Sequence, residues 1–359
     1  MSITKLPSDR SADAEIAVLV SQALNLETFS APQGSSDGFR SGSLPICIQL
    51  FIKAGLCFSR SPQGYHAYRN LRTIDVSLMA QYDTQVAHLF YLPSLQELTI
   101  RHAMLSLHDP GAAFPTWPIP SNVVDITSLK LYQVYLPADV VSGMIRSCKA
   151  LTSFECDVFI TTPNSLDAWC AEVVEALQKH CESLNSLELL LGESQYYDRL
   201  EMTFRRVKGL QSLRALETLG ILFYVLMDKP SGEYVHDVWI PDPGQEEYPA
   251  LKDVLPPGLR KLTVHAGHWS AFGNTLETTF TSYLQPEETR IERVSLLWDH
   301  LELNCPLPMD FWRIMKFYFE HDVSFEYTLQ PAYGKSHPQD TCPFSCATYP
   351  STLWYYLSQ

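Results

Sequence analysis

Three short stretches of the chain carry residue types that could do chemistry. CPFSC, Cys342 to Cys346, sets two thiols four positions apart, the raw material of half a zinc site or of a disulfide. No second pair accompanies it, and the spacing is not that of a redox C-x-x-C. HAGHW puts His265 and His268 close enough to share a metal ion, but no carboxylate or cysteine follows nearby. GFRSGS, Gly38 to Ser43, has the glycines and hydroxyls of a phosphate loop without the G-K-[ST] ending that would hold the phosphates and a metal. A G-x-S-x-G nucleophile turn is absent. The residues therefore predict no catalytic constellation, no cofactor and no metal, and the chain is expected not to be an enzyme.

Charge narrows the partners. Lysine and arginine number 26 against 40 acidic residues, a formal net charge of −14. A nucleic-acid backbone needs a basic stripe, so nucleic acid is not expected as a partner. The longest clean apolar run, Leu219 to Met227, falls far short of the ~20 residues that span a bilayer, and no membrane partner is expected. The nine cysteines are odd in number and scattered, and MSITKLPSDRSADAE at the start is polar and unlike a signal peptide. Those features predict a reducing compartment, cytoplasmic or nuclear.

The elements that would position any site come from a recurring pattern. LPSLQELTI, Leu92 to Ile100, returns as LPPGLRKLTV, Leu255 to Val264. The template apolar-x-x-apolar-x-apolar fits at Leu26/Phe29/Ala31, Leu71/Ile74/Val76, Leu95/Leu98/Ile100, Ile126/Leu129/Leu131 and Leu151/Phe154/Cys156. It fits again at Leu184/Leu187/Leu189, Leu216/Leu219/Ile221, Leu259/Leu262/Val264 and Ile291/Val294/Leu296. The last two apolar residues of each match lie two apart, so in a strand they point the same way. A short strand with one oily flank is not stable alone, and stacking neighbours in parallel would bury those flanks together.

Between matches the spacing turns helical. Ser165 to Cys181 gathers Trp169, Val173, Val174 and Leu177 on one side behind a Ser165 cap, and Ala138 to Cys148 does so with Val140, Val141, Met144 and Ile145. Asn274 to Leu284 and Met309 to His321 read the same way, with Asn274 and Asp310 as caps. The predicted fold is α/β: an irregular leucine-rich-repeat-like solenoid with a parallel sheet on the concave side and helices or loops on the convex side. Residues 1–42 read as a first repeat-like segment with a polar linker, 43–329 as the solenoid, and 330–359 as a capping tail. A proline-rich strap is expected at Pro110 to Asn122, and a long insertion at about 229–250.

In such a fold the strand residues between the buried ones face the concave side. Strands lie about 4.8 Å apart, so eight or nine give a face roughly 35 to 40 Å long, enough for a protein interface. The residues expected to bind a partner there are Glu97, Arg101, Lys130, Tyr132, Glu155, Asp157, Lys261 and His265, with arginine and tyrosine as the strongest contributors.

LPSLQELTI, the unit from Ile126 to Cys156, ALQKHCESLNSLELL (Ala176 to Leu190) and LPPGLRKLTV, as an ordered set, resemble the repeat half of fungal F-box-type leucine-rich-repeat proteins. The resemblance covers about residues 60 to 300. It implies a scaffold that holds another protein, as the substrate-recognition part of an F-box-type ubiquitin-ligase receptor. The F-box itself is not visible: Leu6-Pro7 runs into SDRSADAE, and a repeat match begins at Leu26. The ligase adaptor is thus an expected partner only where an F-box is encoded upstream. Where that family holds an asparagine or cysteine after each strand, this chain has Met79, Ala103, Val134, Phe159, Gly192, Tyr224, Gly267 and Asp299, so the loop amides must find other acceptors. The alternative from another class is an enzyme with a cleft between the concave face and the 229–250 insertion.

Overall fold

A computed structural model describes residues 2–3, 10–23, 25–31, 44, 46–61, 68–78, 84–103, 117–158, 166–191, 207–222, 226, 232–235, 238–241, 254–266, 290–300 and 309–331. They belong to two compact units, Met1–Glu201 and Met202–Gln359. The first unit runs β1 (Ser2–Ile3), α1 (Arg10–Gln22), β2 (Thr28–Ser30), α2 (Ile46–Arg60), β3 (Thr73–Ser77), a 3-10 helix (Thr84–Tyr91) and β4 (Glu97–Arg101). It continues through β5 (Ser128–Val134), α3 (Ala138–Ser147), β6 (Ser153–Val158), α4 (Leu166–Leu177), a 3-10 turn (Gln178–His180) and β7 (Ser186–Leu191). The second holds β8 (Thr218–Leu222), the pair β9 (Gly232–Val235) and β10 (Val238–Pro241), β11 (Lys261–Ala266), β12 (Arg293–His300), α5 (Met309–Glu320) and β13 (Ser324–Pro331).

Each unit is α/β and built on a parallel sheet. In the first, β1 to β7 lie side by side in chain order, every pair parallel. In the second, β8, β11, β12 and β13 do the same, while β9 and β10 form an antiparallel hairpin inside the segment expected to be an insertion. The register aligns the template positions across strands. Phe29, Ile74, Leu98, Leu129, Phe154 and Leu187 form one row, and Val76, Ile100, Leu131, Cys156 and Leu189 the next. Leu219, Leu262 and Val294 repeat the arrangement in the second unit. All of these side chains are buried, each worth about 1.5–3 kcal/mol for the larger aliphatics and phenylalanines. Register is thereby strongly specified, because a slip of one residue would turn every row to water.

The first template position has its own role. The amides of Leu26, Leu71, Leu95, Leu216 and Leu259 each donate to the carbonyl three residues earlier, so a buried leucine closes a turn immediately before its strand. One carbonyl per unit then accepts two consecutive amides of the next: Glu27 from Arg72 and Thr73, Arg72 from Gln96 and Glu97, Gln96 from Thr127 and Ser128, Thr127 from Thr152 and Ser153. The same double acceptance recurs at Glu217 and Arg260 in the second unit. After the strands, where asparagine or cysteine is missing, the amides of Ala31, Leu78 and His102 donate to the carbonyls of Asp75, Arg101 and Tyr132 on the following strand. Backbone thus does the work that a side-chain ladder would otherwise do.

Helices cover the oily face. Val140, Val141, Met144 and Ile145 of α3 and Trp169, Val173, Val174 and Leu177 of α4 are buried, the residues that the helical spacing selected. Trp169 Nε1–H donates to the Leu136 carbonyl at 3.1 Å, which ties α4 to the loop before α3. Gly143 of α3 is needed where it stands: a Cβ there would lie 2.4 Å from Trp117 Cβ. Asp310 does not precede α5 as a cap; the helix starts at Met309, so Asp310 sits inside its first turn. The expected Ser165 cap, the helix from Asn274, most of the Pro110 strap and the tail beyond Pro331 lie outside the described residues.

Candidate functional site

The flank of the first sheet opposite the helices carries three rows of side chains. The first is Thr73, Glu97, Ser128, Ser153 and Ser186; the second is Asp75, Thr99, Lys130, Glu155 and Glu188; the third starts Ser77, Arg101, Tyr132. Adjacent members stand one strand spacing apart, about 4.8 Å, so long polar side chains meet across strands.

They meet in one connected network. The Arg101 guanidinium grips Asp75 with two parallel bonds, Nε to Oδ1 at 2.8 Å and a terminal nitrogen to Oδ2 at 3.2 Å. Its other face lies over the Tyr132 ring, 4.5 Å from the centroid, a cation–π contact. The Tyr132 hydroxyl donates to Glu155 Oε1 at 2.5 Å, and Lys130 Nζ stands 3.4 Å from Glu155 Oε2. The Asp75 bond, opposed in part by burial, raises the Arg101 pKa further, so the guanidinium stays charged. Burial first, and then the bond to Glu155, raise the Tyr132 phenol, which keeps its proton to donate. The side chains of Arg101 and Lys130 are 34% and 39% exposed, so the network is open to an incoming partner.

The end of the third row is shaped by an irregularity. Between Leu131 and Val134 the pairing of β5 with β6 shifts, and Gln133 takes a left-handed conformation at φ 53°. Such bulges re-aim side chains. Here the Gln133 backbone hydrogen-bonds the Asp157 carboxylate. Burial nevertheless pushes that carboxyl up to about 6, with the Gln133 bond opposing and Glu155 adding repulsion. Asp157 Oδ1 is shielded from water and meets no hydrogen-bond partner among the described residues. Glu188 is likewise raised, by burial first and then by Glu155, with Lys130 opposing and Asp157 adding. Nearby, Ser77 Oγ and His102 Nδ1 are 3.0 Å apart. Ser77 is buried, so its hydroxyl is not presented to a substrate as a nucleophile must be.

Of the eight residues picked from sequence, four form this network or its edge: Arg101, Lys130, Tyr132 and Glu155. Asp157 adjoins it behind the bulge, and Glu97 is exposed one row away. Lys261 and His265 belong to the second unit and share β11. Lys261 is exposed, whereas His265 pairs in register with Leu222 and Leu297, and burial lowers its pKa to about 4. Asp75 and Glu188 complete the site and were not among the picks, although strand alternation had placed both on this flank. The Gln133 bulge had no signal, because no glycine marks the left-handed residue. Cys342, Cys346, His268 and Gly38 to Ser43 lie outside the described residues, as does most of the expected cleft beside 229–250. Among the described residues no group of three histidines, cysteines or carboxylates is placed to hold a metal ion, and no helix is long and apolar enough to cross a membrane.

Compared with known proteins, the chain matches no family model and no curated protein. What it does must therefore be argued from its own residues.

Proposed function

We propose that the chain is a protein–protein interaction scaffold: a leucine-rich-repeat-like array whose polar sheet flank in the first unit captures another protein. The observation that carries this reading is the network of Asp75, Arg101, Tyr132, Glu155 and Lys130, built by four strands on a flank that no helix covers among the described residues. The aligned turn-and-strand units and the repeated carbonyl acceptance support the repeat-like part. Buried apolar rows dictate what faces the helices; a bidentate, ring-stacked arginine on the other side adds only about 0.2–1 kcal/mol per cross-strand pair to folding. Arginine and tyrosine with locked geometry bind at low entropic cost and dominate interfaces. Within this reading, the resemblance to F-box-type proteins supports a role in holding a ubiquitin-ligase substrate.

The test is paired capture from cell extract with the full chain and with an Arg101→Ala/Tyr132→Ala variant, quantified by mass spectrometry. Partners lost by about tenfold in the variant, with melting temperature kept within a few degrees, are the expected result. Unchanged capture moves the binding surface elsewhere. Recovery of a ligase adaptor in both samples supports the ligase role, and its absence argues for scaffolding without it.

A further inference from the structure

Resting on that reading, we infer that the first unit's polar flank takes a short, extended, lysine- or arginine-bearing peptide segment, laid across β4 to β7 with its cations toward Glu155 and Glu188. Size is the first argument. Strands β3 to β7 give four spacings of about 4.8 Å, roughly 19 Å, and five residues along a strand give about 16 Å. That patch is well below the ~800 Å² per partner of a standard interface between folded proteins. It matches an extended segment of about six residues, at about 3.3 Å each.

Charge is the second argument. Among the described residues of this flank, Asp75, Glu97, Glu155, Asp157 and Glu188 oppose Arg101 and Lys130, five carboxylates to two cations, a net −3. The cations are not evenly spread. Arg101 is held by Asp75 at the β3 side, and Lys130 lies 3.4 Å from Glu155 on β6 and acts on Glu188 on β7. Glu155, Asp157 and Glu188 repel one another, Glu155 acting on both of the others and Asp157 on Glu188. An ammonium or guanidinium group delivered by a partner relieves that repulsion; a phosphate or acidic peptide worsens it. One face of the Tyr132 ring already stacks on Arg101, and the mutually repelling carboxylates lie at the β6–β7 end, where the added cation belongs.

The experiment titrates the full chain into three fluorescein-labelled eight-residue peptides, one rich in Lys and Arg, one rich in Glu and Asp, one of Gly and Ser, read by anisotropy. Because the whole chain is acidic, a charge-matched control sits off the flank: Glu15→Gln/Glu175→Gln, at exposed positions of α1 and α4. The basic peptide is expected to bind, to weaken about tenfold in Glu155→Gln/Glu188→Gln, and to be unaffected by Glu15→Gln/Glu175→Gln. Lys130→Met, which removes the competing cation, is expected to tighten it several-fold. Equal weakening by the control and the flank variants overturns the inference as nonspecific attraction. Binding of the acidic peptide, lost in Arg101→Ala, overturns the inference while leaving the flank as the interaction surface. No flank substitution affecting any peptide, together with unchanged partner capture in the Arg101/Tyr132 variant, overturns both.

Discussion

The two units obey one construction rule and finish it differently. On the oily side they are interchangeable: Ile74, Leu98 and Leu129 in the first correspond to Leu219, Leu262 and Val294 in the second, all buried. On the polar side they are not. The first unit joins Asp75, Arg101, Tyr132, Glu155 and Lys130 into a continuous network. The second offers Gly220, Leu222 and Leu297 in corresponding positions, with the exposed pairs Arg293–Glu326 at 3.5 Å and Arg260–Glu292 at 3.6 Å. Exposed pairs of that kind contribute at most about 1 kcal/mol. Burial fixes one flank of each strand and leaves the other free, so a difference confined to the free flank reports what that flank is for.

The severest way to break the comparison is to strike the shared side. Leu98→Asp and Leu262→Asp each place a charge in a fully apolar row and are expected to cost about 4 kcal/mol or more. Hydrogen exchange with mass spectrometry should show lost protection in the struck unit. Protection equal to wild type in either would contradict the row assignment.

A smaller effect separates the units through histidine. His180, buried in the first unit, accepts from the Leu151 amide at Nδ1 (3.3 Å) and donates from Nε2 to the Ile145 carbonyl (3.0 Å). His180→Phe strands both buried backbone groups and is expected to cost about 2 kcal/mol in urea melts.

Two histidines, His180 in the first unit and His265 in the second, set the acid response. Burial lowers the folded pKa of His180, and brings that of His265 to about 4. Their ordinary value is near 6.5, so below it the unfolded chain takes up protons first and stability falls from about pH 6.5 toward 4. Asp157 has the opposite sign. Its folded pKa of about 6 lies above the ordinary 3.8, so protonation between those values favours the folded state. Asp157→Asn is therefore expected to stabilise the first unit by about 1–2 kcal/mol at pH 8, with the gain vanishing by pH 4. A gain that grows on acidification would contradict the buried-carboxylate account.

The smallest change sharpens the network itself. Arg101→Lys keeps charge but loses the fork and the flat stack on Tyr132. Stability should change by less than about 1 kcal/mol, while partner capture weakens severalfold.

Much of this was legible in the residues. Leu98, Leu129 and Phe154 announced their rows because burial imposes a period of two, and all nine template matches fall on strands. The strand β13 escaped because Asp322 holds the place where the template asks for an apolar residue; Val323, one step later, fills the core instead. The helix α1 escaped because its apolar stripe is weak, with Val18 and Leu19 exposed and Ile16, Ala17 and Val20 buried. At the site, alternation put Arg101, Tyr132 and Glu155 on one flank. It could not say that Asp75 rather than Glu155 would hold the arginine, since that depends on side-chain reach across strands. Nor could it foresee the Gln133 bulge, which tertiary pairing imposes on an ordinary residue.

The central claim, that the first unit's polar flank is where a partner sits, is tested most directly by photo-crosslinking from equivalent positions. Glu97 and Lys261 are both exposed first residues of their strands. With a benzophenone amino acid at each in turn, covalent partner adducts are expected from position 97 and not from position 261. Adducts from 261 alone, or at equal yield from both, would contradict it.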